Sequence, residues 1–94
     1  MEAIRFVWDE AKAATNLAKH DVSFSEARTV FLDPHARVIP DPDHSRDEER
    51  FIILGLSLTL RMLVVCHCYR ELESQIRIIS ARKATKAETR AYGG

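Results

Sequence analysis

Three apolar stretches follow one another with only short polar breaks: Arg50 to Ser57, Arg61 to Tyr69 and Gln75 to Ala81. Each has the length of a strand and is rich in residues that fit a pleated, half-buried surface. Breaks as short as Leu58-Thr59-Leu60 and Arg70 to Ser74 reverse the chain, because a parallel pairing needs a crossover of a dozen residues or more. The stretches therefore predict neighbouring antiparallel strands. A shorter strand at Ala36 to Ile39 precedes them, and another at Ile4 to Trp8 opens the chain with Ile4, Phe6 and Trp8 on one face.

Helices occupy the two ends. Asp9 is placed to cap an alanine-rich helix that runs to about Lys19. Lys12, Asn16 and Lys19 recur at helical spacing on its polar face, and His20-Asp21-Val22 breaks it. Ser23-Phe24-Ser25-Glu26 forms a capping box, in which Ser23 accepts from the Glu26 amide and Glu26 reaches back. A second helix follows from Phe24 to about Leu32, until Asp33-Pro34 stops it. Thr85-Lys86-Ala87-Glu88 is another capping box and opens a helix to about Tyr92. The expected fold is α+β: an antiparallel sheet flanked by two N-terminal helices and one C-terminal helix, in a single domain spanning residues 1–94.

No apolar run approaches the length of a membrane span, and the start of the chain has no signal-peptide pattern, so a cytoplasmic location is expected. The net charge is zero but unevenly spread. Residues 1–60 carry seven Lys/Arg and eleven Asp/Glu, whereas residues 61–94 carry seven and three. This argues against a uniform polyanion-binding surface. A local cationic site in the C-terminal half stays open, beside the simpler reading that opposite charges cancel across the fold.

The cations concentrate in Arg77-Ile-Ile-Ser-Ala-Arg-Lys-Ala-Thr, at the end of the last strand. Arg77, Arg82 and Lys83 stay charged near neutrality, and a guanidinium at a sheet edge suits a carboxylate or a phosphate. Alternation puts Arg77 and Arg82 on opposite faces, so they serve one site only if the chain turns between Ser80 and Arg82. Arg61 and His67 join this set, with His67 on the face of Leu63, Val65 and Tyr69. RNA cleavage without a metal needs a base for the 2′-hydroxyl, an acid for the leaving 5′-oxygen and cations for the phosphorane, and these residue types can supply all three. On the residues alone, a strand pair with one charged face and one core face accounts for them more simply.

His44, Cys66, His67 and Cys68 have the chemistry of zinc ligands but not the spacing, so no metal and no cofactor is expected. Cys66 and Cys68 read as small buried thiols of a reducing compartment. Glu48 or Glu49 is either a general base at the sheet edge or a solvated loop charge. Phosphate-loop, dinucleotide and serine-nucleophile motifs are absent.

The ordered pattern says more than any single motif. Trp8-Asp9-Glu10-Ala11-Lys12, Asn16, Lys19-His20-Asp21-Val22-Ser23-Phe24, Glu26-Ala27 and Val30-Phe31-Leu32-Asp33-Pro34 are followed by Asp43-His44, Glu48-Glu49-Arg50, Gly55, Leu63-Val64-Val65, Arg77 to Thr85 and Glu88. Over Phe6 to Tyr92 the chain resembles the BrnT family of toxins from bacterial type II toxin–antitoxin systems. The resemblance implies a RelE-like fold and a metal-independent ribonuclease that inhibits translation. It implies a BrnA-type antitoxin with a ribbon-helix-helix domain, a heterotetramer with it, and contact with operator DNA only through it. It also implies catalytic roles for His67, Arg77 and Arg82, with the two arginines on phosphate and His67 as acid or base. RNA binding would fall to Lys19, His20, Arg61, Lys83 and Tyr92. The turn Arg70 to Ser74 departs from the family's compact, glycine-containing hairpin. The competing reading is a non-catalytic interaction module whose basic face grips an acidic partner, which the zero net charge suits.

Overall fold

The long strands form a meander, as their short breaks require. The computed structural model describes residues 4–44, 48–70 and 74–93, with the backbone alone for His44. Strand β1 (Arg5–Val7) leads into helices α1 (Glu10–His20) and α2 (Phe24–Thr29), the latter extended by a 3-10 turn at Val30–Leu32. Then come β2 (Arg37–Pro40), a 3-10 turn at Pro42–His44, β3 (Phe51–Leu56), β4 (Met62–Arg70), β5 (Gln75–Lys83) and helix α3 (Lys86–Gly93). Parts of the expected 40–49 loop and 70–74 turn lie outside the described residues.

The sheet has the order β1-β5-β4-β3-β2. Strands β2 to β5 pair antiparallel, but β1 lies parallel to β5, with Phe6 opposite Ile76. The sheet is therefore mixed, not antiparallel throughout. A tight turn fixes strand direction, whereas the long path from β1 to β5 leaves it free, and periodicity within β1 carries no trace of the outcome.

One face of the sheet packs against the N-terminal helices. Val22, Phe24, Ala27 and Val30 meet Ile53, Leu63, Val65, Ile78 and Ala81 in the core. Burial of each larger side chain contributes ~1.5–3 kcal/mol. Phe6 packs on Phe31 with ring centroids 5.2 Å apart, and Trp8 meets Phe24 edge-on at 6.0 Å. Ile4, expected to share their face, is instead exposed.

The predicted caps form. Asp9 Oδ1 accepts from the Lys12 N–H at 3.0 Å, and Ser23 Oγ from the Glu26 N–H at 3.0 Å. Asp21 ends α1 in the left-handed conformation, φ 58°, and donates its N–H to Leu17 O. Glu26 does not reach back to Ser23. Its carboxylate crosses to the β3–β4 hairpin, where it accepts from Ser57 Oγ at 2.7 Å, Thr59 Oγ1 and both Arg61 Nε and Nη2.

Two features change how β5 presents its side chains. Cys66 pairs with Ser80 but His67 with Ile78, so Ile79 is an extra residue on β5. This bulge shifts the alternation by one position. Asn16, expected on the polar face of α1, is buried at 6% exposure. Its Nδ2 donates to Ala81 O at 2.9 Å and its Oδ1 accepts from the Ala81 N–H at 3.1 Å. The side-chain amide stands in for a neighbouring strand where β1 has already ended.

Candidate functional site

The bulge brings the cationic segment onto one face. Arg77 pairs with Cys68, Ser80 with Cys66 and Arg82 with Val64, alternate residues of β4 that point away from α2. The turn expected between Ser80 and Arg82 is absent, and β5 runs on to Lys83. Arg77 and Arg82 share a face because Ile79 resets the phase. They stand four β4 positions apart, roughly 13 Å at the strand rise.

Beside Arg82 lies a cavity of about 220 Å³. Ile52, Val64 and Cys66 give it an apolar wall, and His20, Asp41, Arg50, Ser80 and Arg82 give it polar groups. His20 is the last residue of α1, held there by the left-handed cap at Asp21. Asp41 sits between Pro40 and Pro42, which restricts it to extended backbone, and its N–H donates to Arg50 O at 2.9 Å. That bond extends the β2–β3 pairing by one step and carries Asp41 and Arg50 to the cavity together. Asp41 is 9% exposed. Burial pushes the Cys66 thiol up, and the nearby Asp41 carboxylate adds to the rise while Arg50 opposes it. A shallower groove lined by Lys12, Lys19, His20 and Ser80 adjoins the cavity.

Arg82 donates Nη1 to Glu88 Oε1 at 2.8 Å and Nη2 to Oε2 at 2.9 Å. Those bonds hold the Glu88 carboxyl down at about 2. Arg77 lines a separate cleft with Trp8, Asp9, Arg70 and Gln75. Glu48 lies between Arg70, at 3.3 Å, and Arg77, at 3.9 Å.

The remaining expected site residues lie elsewhere. His67 is 0% exposed and packed among Phe31, Phe51 and Tyr69. Burial lowers its pKa and so favours the neutral ring. Nδ1 lies 3.2 Å from Val65 O and Nε2 3.3 Å from Tyr69 Oη. A carbonyl only accepts, so Nδ1 carries the proton and Tyr69 donates to Nε2. Parity put His67 on the core face, and the aromatic cage fills the space a substrate would need. Arg61 is committed to Glu26 and donates to Asp21 O at 2.8 Å, while Lys83 reaches Asp21 at 4.0 Å. Tyr92 donates to Asp33 Oδ2 at 2.7 Å, which raises the tyrosine pKa and fastens α3 near β3. Cys66 and Cys68 are free thiols on the face opposite His67, and the His44 side chain lies outside the described residues.

The structure thus unites His20, Lys19 and Arg82, and adds Asp41, Arg50 and Ser80, which sequence reasoning missed. The signal available for Asp41 was the pair of flanking prolines, which immobilise the backbone around a carboxylate.

Fold and cavity together define a small α+β protein with a mixed sheet, N-terminal helices packed on one face, and a cavity at the end of α1 that gathers cations and proton-carrying groups. Residues 8–88 match the family described as ribonuclease toxin, BrnT, of type II toxin-antitoxin system. The chain belongs to this family. The crystal structure of the Brucella abortus ribonuclease toxin, BrnT, superposes with a TM-score of 0.69 at 27% identity, covering 89% of this chain and 100% of that one. No curated protein matches the sequence. Membership of a type II toxin–antitoxin family implies an antitoxin partner. Among the described residues no helix is long and apolar enough to cross a membrane.

Proposed function

We propose that this protein is a RelE-like, metal-independent endoribonuclease that inhibits translation and is neutralised by a BrnA-type antitoxin bearing a ribbon-helix-helix domain. The pair forms a heterotetramer that reaches operator DNA through the antitoxin. The observation that carries the reading is the cavity beside Arg82, where Arg50 and Arg82 flank the titratable groups His20 and Asp41. Two guanidiniums can hold the non-bridging oxygens of a phosphodiester and stabilise the charge that grows there in the transition state. Lys12 and Lys19 line the adjoining groove as backbone contacts for the strand. Arg77 engages a more distant phosphate. Lys83 guides the RNA from its exposed position, whereas Arg61 and Tyr92 act through the fold by holding the hairpin and α3.

The test is incubation of the purified protein with RNA in EDTA. Cleavage by the wild type, lost in a folded Arg82→Ala variant, is the expected result. Arg82→Ala cleaving at the wild-type rate would refute the placement of the site.

One observation favours the interaction module: Arg82 and Arg77 already face carboxylates, those of Glu88 and Glu48. In that reading the acidic surface of a partner replaces them. Intact RNA across a range of conditions, together with tight binding of an acidic antitoxin segment, is its signature.

A further inference from the structure

We infer that the cavity beside Arg82 is the catalytic centre itself, with Asp41 as the general base and His20 as the general acid. The inference rests on the ribonuclease reading above and assigns the two proton-transfer roles that it leaves open.

The cavity holds the groups that transesterification of RNA requires and arranges them on different elements. His20 comes from the end of α1, Asp41 from just after β2, Arg50 from just before β3, and Ser80 and Arg82 from β5. Acid and base must approach the phosphorus from different sides, because the attacking and leaving oxygens lie roughly in line. Side chains carried by separate elements around one cavity can meet that demand, whereas neighbours on one strand do not. His67 cannot take part directly, because it is fully enclosed.

The chemistry of the two groups sets their roles. An ionised carboxylate has lone pairs and no proton, so Asp41 suits the base. Asp41 is engaged within the protein, but a carboxylate has about four lone-pair sites and can also accept from a 2′-hydroxyl. An imidazolium has ring N–H protons to give, so His20 suits the acid. Asp41 takes the proton of the 2′-hydroxyl and the 2′-oxygen bonds to phosphorus. The bond from phosphorus to the 5′-oxygen breaks, and His20 delivers its proton to that oxygen. The products are a 2′,3′-cyclic phosphate and a 5′-hydroxyl, with no oxidant, reductant or water consumed. Arg82 and Arg50 hold the non-bridging oxygens, so each exchanges contacts within the protein for phosphate, Arg82 those to Glu88.

A substrate that needs no acid separates the roles. A short RNA with one ordinary linkage is compared with the same RNA carrying sulfur in place of the bridging 5′-oxygen, since a thiolate leaves without protonation. The full-length wild-type protein is expected to cleave both. His20→Gln is expected to lose ~100-fold or more on the oxygen substrate, within the range for general acid catalysis, and to approach the wild-type rate on the sulfur substrate. Asp41→Asn is expected to lose a similar factor on both substrates, and Asp41→Glu to keep part of the rate. Thermal melts accompany each variant, and Asp41→Glu keeps the base testable if Asp41→Asn does not fold. Folded variants that cleave the oxygen substrate within a few-fold of wild type overturn the assignment. A His20→Gln defect equal on both substrates overturns the acid role. A wild-type protein that leaves both substrates intact overturns the ribonuclease reading together with the assignment built on it.

Discussion

Arg82 and Glu88 are joined by two parallel N–H···O bonds, and the same Glu88 Oε1 accepts from the Thr85 N–H at 2.8 Å while Thr85 Oγ1 accepts from the Glu88 N–H at 3.1 Å. One carboxylate therefore closes the capping box of α3 and fills the fork of the cavity arginine. Helix α3 buries none of its side chains, so it depends on such polar ties. Glu88→Ala leaves the Thr85 cap on the Glu88 N–H but removes the returning bond to the Thr85 N–H, worth about 1 kcal/mol, and an ion pair worth less than ~1 kcal/mol at its partial exposure. A fall in melting temperature of about 5–10 °C is expected. The same change frees the guanidinium for phosphate, so affinity for a short RNA at low salt should rise ~5-fold, equivalent to about 1 kcal/mol. Weaker RNA binding by the folded variant would mean that Glu88 orients Arg82 rather than occupying it.

Glu26 makes the stability of this protein fall in acid. The bonds from Arg61, helped by Thr59 and Ser57 against the cost of burial, bring its carboxyl from 4.5 down to about 2. A depressed folded pKa stabilises the fold wherever the pH exceeds the unfolded value, and the contribution disappears as pH falls through the folded one. The Glu26 side chain is 12% exposed, so at ~1.4 kcal/mol per unit the shift is worth roughly 3 kcal/mol. The melting temperature is therefore expected to be flat from pH 7 to about 5.5 and to fall steadily between 4.5 and 2. Glu26→Gln should lie well below wild type at pH 7 and converge with it near pH 2, as followed by thermal melts across that range. Parallel curves at all pH values would exclude this pair as the source.

Much of the fold could be read from local chemistry. Asp9, Ser23, Thr85 and Glu88 announce the helix starts, because capping is settled within four residues. Strands β3 to β5 follow from apolar runs and short breaks. The rest depends on partners remote in sequence. Asn16 reaches Ala81 across 65 positions, and Glu26 leaves its own capping box for Arg61 across 35. The parallel docking of β1 likewise has no local signature. The bulge at Ile79 carries no glycine or proline to mark it, yet it decides which face Arg82 joins. The cavity escaped notice for the same reason. Its lining comes from α1, β3, β4, β5 and the end of the β2–β3 pairing, and only the folded sheet gathers His20, Asp41 and Arg82 around one cavity.

His67 gives a prediction that separates stability from catalysis. Its ring is caged by Phe31, Phe51 and Tyr69, and both nitrogens are satisfied within the protein. His67→Ala leaves a void and removes the acceptor of Tyr69, at a cost of roughly 2–4 kcal/mol. Urea unfolding should show the lower midpoint. RNA cleavage per folded molecule should stay within a few-fold of wild type. A loss of 100-fold or more at full folding, the scale of a missing acid or base, would return His67 to the chemistry.

Gly55 shows how tightly the sheet meets the segment after α2. A Cβ at this position would lie 2.9 Å from Ala36 Cβ, 2.9 Å from Val30 Cγ1 and 3.1 Å from Asp33 Oδ2. Ala36 Cβ is fixed by the backbone and Val30 is fully buried, so neither can swing aside as a flexible chain end would. Asp33 is fixed as well: burial alone would raise its pKa, yet the bonds from the Leu56 N–H at 2.8 Å, Tyr92 Oη and the His35 N–H outweigh it and hold the carboxyl below its usual range. Gly55→Ala must therefore push β3 away from Val30 and Ala36, at about 1–3 kcal/mol for an overpacked core. Displacing Asp33 also strains the bond that fastens Tyr92, so α3 should loosen with it. The expected result is a lower urea midpoint, with faster amide exchange along α3 than along α1. A variant as stable as wild type, with unchanged exchange in α3, would show that the chain around Asp33 yields more easily than its contacts imply.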